Sequence, residues 1–107
     1  MADARTQAAF EERHRQLKQK FAERTLNDAA RLEDLLTEFT QSDSESGEEI
    51  RQIAHRIAGG AGIFGLDRLT EPSALVEDLI IDKRAAETVR TKTEALIAHM
   101  RREAETV

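Results

Sequence analysis

Cysteine, tryptophan and tyrosine are absent from this 107-residue chain, and proline occurs once. Without cysteine the chain offers no disulfide, no thiolate nucleophile and no Cys-ligated metal. With four Phe as its only large aromatics, a core has to be built mainly from Leu, Ile and Ala. One proline and five glycines leave few helix breakers, which suits an all-α chain better than a sheet protein. No window approaches eighteen apolar residues, and Met1-Ala2-Asp3-Ala4-Arg5 has no apolar leader segment. A membrane is therefore not expected as a partner, and the chain is read as cytoplasmic. Nor is there a broad excess of cations: the net charge is −5 with acids and bases interleaved, which argues against nucleic acid. At this length one small domain over residues 1–107, with a single core, is expected.

Helical periodicity is plentiful. Phe10, His14, Leu17 and Phe21 recur at steps of four, three and four, so a first helix is expected from about Thr6 to Arg24, with His14 at the edge of its packing. Leu26, Ala29, Leu32, Leu35, Leu36 and Phe39 predict a second helix, ended by the polar loop Gln41 to Gly47. Ser46 and Glu49 have capping-box spacing, which starts a third helix near Gly47 and carries it to Gly60 or Gly62. A fourth begins between Asp67 and Thr70, with Thr70 a candidate N-cap and Pro72 tolerated in the first turn. After a turn at Asp82-Lys83-Arg84, a fifth buries Ala86, Val89, Thr93, Leu96, Ile97 and Met100. The expected fold is all-α: an antiparallel up-and-down four-helix bundle with an additional N-terminal helix.

One stretch carries chemistry. Ile50, Ile53, Ala54, Ile57 and Ala61 form an apolar stripe on the third helix, and His55 falls roughly opposite its centre, facing solvent. Its neighbours at helical spacing are Arg51 and Gln52 on one side and Ala58, Gly59 and Gly62 on the other. Glycine inside a helix costs about 1 kcal/mol against alanine. Gly59 and Gly60 thus mark either the helix end or a clearing through which a partner's backbone reaches the imidazole. A hydrolytic site needs a nucleophile and an orienting acid beside the ring, and no such set is recognisable. A metal site needs three converging ligands, of which His99 and Glu103 supply at most two. A phosphoryl group carried on the ring fits better, with a partner bringing Mg²⁺ and most of the transition-state stabilisation.

The run His55-x-Ile57-x-Gly59-x-Ala61-x-x-x-Gly65-Leu66-x-x-Leu69 resembles the signature of histidine-containing phosphotransfer (HPt) domains. The resemblance implies a four-helix bundle whose surface histidine shuttles phosphoryl groups between receiver-domain aspartates, or from a sensor or hybrid histidine kinase to a response regulator. On that reading His55 is the phosphoacceptor, Gly59 clears the approach, Gly65 ends the helix, and Arg51, Gln52, Arg56 and Gly62 border the docking face. The chain itself needs no cofactor, its receiver partner supplying Mg²⁺, and it has no kinase activity of its own. One position departs from the family pattern. Ala58 stands where the family usually has a lysine, so either Arg51 substitutes for that cation or it merely pairs with Glu48 or Glu45. Two other readings stay open: an HPt-like scaffold that binds receiver domains without carrying phosphate, and a structural helical subunit unrelated to signalling.

Overall fold

The computed structural model describes residues 3–40 and 44–107. Four α-helices account for most of them: α1 (Ala4–Glu38), α2 (Ser44–Gly60), α3 (Thr70–Ile81) and α4 (Ala86–Glu105). Two short 3₁₀ turns, Ala61–Phe64 and Asp67–Leu69, join α2 to α3, and there is no strand among the described residues. Among the described residues no helix is long and apolar enough to cross a membrane.

The first two expected helices are one. No glycine or proline interrupts residues 4–38, and the Thr25 hydroxyl donates to the Phe21 carbonyl one turn back at 2.8 Å, so the turn there stays helical. Thr25 rather than Leu26 is buried, which lets a single phase run through Ala22, Thr25, Ala29, Leu32 and Leu36. The other end of α1 is fixed by Arg90 of α4, which donates to the carbonyls of Leu36 at 2.6 Å and Phe39 at 2.8 Å. These are carbonyls that a helix terminus leaves without an internal partner.

The start of α2 also differs from expectation. The helix already includes Ser44, and the Glu49 carboxylate accepts from Arg31 of α1, with one bond at 2.8 Å, instead of closing a capping box. Gln41, Ser42 and Asp43 of the expected loop lie outside the described residues. Thr70 opens α3 as its first helical residue, with Leu69 as N-cap, and Pro72 sits in the first turn.

Fully buried Leu32, Ile50, Ile57, Leu66, Leu69, Val76, Leu96 and Met100 form the centre of the core, so all four helices contribute. The hydroxyls of Ser73 and Thr93 are buried there without a hydrogen-bond partner. An unpaired buried hydroxyl is destabilising, so Thr93→Val should raise stability by about 1 kcal/mol in urea titrations.

Along the α1/α2 seam the contacts run in opposite senses: Arg31 meets Glu49, Asp28 meets Arg56, and Phe21 lies over Gly60. At Gly60 α2 stops, while α1 continues outward from Phe21 for seventeen more residues, about 25 Å of helix. The expected stripe on this segment is therefore mostly unpaired. Phe10 is 72% exposed and Leu17 41%; Phe21 packs, and the His14 ring lies 6.3 Å from that of Phe64.

Candidate functional site

His55 lies in the middle of α2, and its side chain is 72% exposed. The stripe expected beneath it, Ile50, Ile53, Ala54, Ile57 and Ala61, is buried throughout. That burial fixes the rotation of α2 and turns the imidazole outward. Its Nδ1 lies 2.9 and 3.1 Å from the two carboxylate oxygens of Glu77 on α3. Glu77 is mostly buried, its side chain 16% exposed, and it also accepts from Arg51 at 3.2 Å. A mostly buried carboxylate, held also by Arg51, thus engages one ring nitrogen and leaves Nε2 on the exposed side of the ring.

Arg51 is gripped from both sides. Besides Glu77 it donates two bonds to Glu48, at 2.6 and 2.9 Å, and Gln52 donates to the same carboxylate at 3.3 Å. The hydrogen bond from Arg51 holds the Glu48 carboxyl below its ordinary range, and the hydrogen bond to Glu48 raises Arg51 in turn. Arg56 points away from His55 and bonds Asp28 on α1 at 2.8 Å. Both cations expected near His55 are therefore already paired with carboxylates.

The two adjacent glycines have different jobs. A Cβ at Gly59 would meet nothing within 4 Å, and the same holds for Gly62, so the surface one and two turns beyond His55 is open. A Cβ at Gly60 would lie 2.9 Å from the Phe21 ring, which itself stacks on Phe64 with centroids 5.0 Å apart. Gly59→Ala is accordingly expected to stabilise the chain by up to about 1 kcal/mol. Gly60→Ala has to displace the Phe21 ring, at a cost of roughly 1–3 kcal/mol. Thermal unfolding of the two variants side by side reads the difference. The His55 helix ends at Gly60, as its apolar spacing predicts, and not at Gly65; Gly65 closes the 3₁₀ turn that follows, taking a left-handed conformation with φ 77° and returning its N–H to Ala61 and Gly62.

A buried-faced helix, an outward histidine and a bare surface beyond it now stand together, and the sequence model of the Hpt domain matches residues 16–107. The chain belongs to the Hpt domain family. No curated protein and no solved structure matches it. Hpt domains are phosphotransfer carriers, not kinases, and act with receiver domains and histidine kinases in phosphorelays. In this Hpt domain the site residues named from sequence do not form one cluster. His55 and Arg51 share Glu77, Gln52 joins through Glu48, Gly59 and Gly62 line the open side, and Arg56 belongs to the α1/α2 seam.

Glu77 and Asp28 were not anticipated. Glu77 follows Val76 directly and lies outside the α3 stripe, which marks it only as a flanking position. That it meets His55 depends on the register of α3 against α2.

Proposed function

We propose that this Hpt domain takes a phosphoryl group on Nε2 of His55 from an aspartyl phosphate of a receiver domain and passes it to another receiver aspartate. The bundle presenting the ring is read as antiparallel and up-and-down. One observation carries the reading: Glu77 occupies Nδ1 of an otherwise exposed imidazole. With the Nδ1 proton donated to that carboxylate, the lone pair resides on Nε2, the outward nitrogen. Nε2 attacks phosphorus, an N–P bond forms, and the acyl P–O bond breaks with its electron pair leaving on the aspartate. The ring then carries positive charge, balanced by Glu77 at Nδ1. Transfer onward is the same step in reverse, and the receiver supplies the Mg²⁺ that neutralises charge on the moving group.

Incubation with phosphorylated receiver domains from the same genome tests this. The expected product is an acid-labile, base-stable phosphoryl group on His55, mapped by mass spectrometry at neutral pH. The scaffold reading is favoured by a separate observation, since Ala58 supplies no cation and Arg51 and Arg56 are held by carboxylates. Stable receiver binding with no label on the chain would establish it instead.

Glu77 acts here as a positioning residue. The orienting carboxylate of a buried triad is worth about 10⁴ in rate. The His55 ring is largely solvated, so water takes over much of that role and Glu77→Gln should slow transfer only about tenfold. The ring ¹⁵N shifts of His55 should move toward the Nε2–H tautomer in the same variant, which a purely structural role would not cause.

A further inference from the structure

The part of α1 that runs past the bundle is the largest feature the phosphoryl carrier does not use. Its first twelve residues, Ala4 to Arg15, precede the stretch matched by the Hpt domain model, and every residue from Asp3 to Leu17 is exposed. On a helix of 100° steps Phe10, His14, Leu17, Phe21 and Asp28 fall within about 60° of one another. Phe21 and Asp28 mark that sector as the one facing α2, through Gly60 and Arg56. Beyond Gly60 the sector faces an open notch. Its floor is Phe64, stacked on Phe21 and 6.3 Å from the His14 ring, and Ile63 beside it is 67% exposed. Gly59 and Gly62 join this notch to the surface around His55, with no Cβ in between.

The charge of the segment differs from that of the bundle. Between Asp3 and Lys20 there are five basic and three acidic residues, whereas residues 21–107 hold eleven basic and eighteen acidic. Arg13 and Lys20 border one edge of the apolar stripe, and Lys18 and Glu11 the other. A receiver domain meets His55 with a phosphoryl group, its metal-binding carboxylates and therefore a negative surface. A domain of about 120 residues is roughly 35 Å across. Seated on His55, it extends past Gly60, about 7.5 Å along α2, and reaches the level of Leu17.

We infer that the exposed N-terminal segment of α1 is a second docking surface for the receiver domain that exchanges phosphoryl groups with His55. Leu17 and Ile63 make its apolar contact, and Lys18 and Lys20 its basic rim. The segment supplies from outside the bundle the positive charge that Ala58 does not supply inside it. This rests on the carrier reading for its partner but is measured by binding, which does not require transfer.

The test titrates the full chain against the receiver domain that exchanges phosphoryl groups with it, or failing exchange, the one that binds it. In the double variant Leu17→Ser/Ile63→Ser the Kd should rise at least tenfold. Leu26→Ser serves as control, because Leu26 is 42% exposed on the opposite side of the same helix, and its Kd should be unchanged. A double variant within twofold of the wild type overturns the inference. So does a wild-type chain that sediments as a dimer and becomes monomeric in the double variant, since a second copy then covers the stripe. Arm-dependent binding without label on His55 supports the docking surface while removing the carrier reading. Absence of any receiver binding by the wild-type chain overturns both.

Discussion

His55→Gln is expected to abolish phosphoryl acceptance entirely while leaving the fold in place. A glutamine amide reaches a similar volume but has no basic nitrogen lone pair to attack phosphorus, so no residual rate comes from the substituted side chain. The ring buries little surface, and its hydrogen bond with Glu77 is exposed on the ring side, so its loss should cost no more than about 1 kcal/mol. Label transfer from a phosphorylated receiver and thermal unfolding, measured together, separate the two effects. His14 and His99 are the remaining histidines. His14 lies on the exposed segment against Phe64, and His99 is half-buried on α4. Label retained by His55→Gln would move the acceptor to one of them and sink the assignment of α2 as the active helix.

The second large effect concerns stability. Leu32 has no exposed surface and sits in the core that joins all four helices. Truncation to alanine removes its apolar area and leaves a cavity that the surrounding helices close only in part, at a cost of about 2–5 kcal/mol. For a domain of ordinary stability that is a substantial fraction of the total. Leu17→Ala, fifteen residues earlier on the same helix, removes the same atoms from a site 41% exposed, and should change stability by less than about 0.5 kcal/mol. Urea denaturation of the pair checks both values. Equal losses would mean that the N-terminal half of α1 folds as part of the bundle.

The core and the outward placement of His55 were readable in the residue order because both follow from helical phase. Ile50, Ile53, Ala54, Ile57 and Ala61 share a side, so His55 has to emerge on the other, and Gly59 follows it by one turn. The same logic found Val89, Thr93, Leu96, Ile97 and Met100. It failed where phase was assigned from the wrong residue. Leu26 looks like core and Thr25 does not, yet a hydroxyl returned to the Phe21 carbonyl lets Thr25 be buried and α1 continue unbroken. Contacts between helices were out of reach for a different reason. Whether Glu49 closes a cap or meets Arg31, whether Glu77 meets His55, and which glycine lies beneath Phe21 depend on how far each helix slides along its neighbour. Side-chain spacing within one helix carries no information on that offset.

The single long α1 also sets how the molecule moves through water. At 57 × 21 × 19 Å the chain is almost three times as long as it is wide, so it experiences more drag than a sphere of its 12.0 kDa mass. On a sizing column it should elute ahead of compact standards of the same mass even as a monomer. Its tumbling should be anisotropic, with amide vectors along α1 relaxing on a longer correlation time than vectors across it.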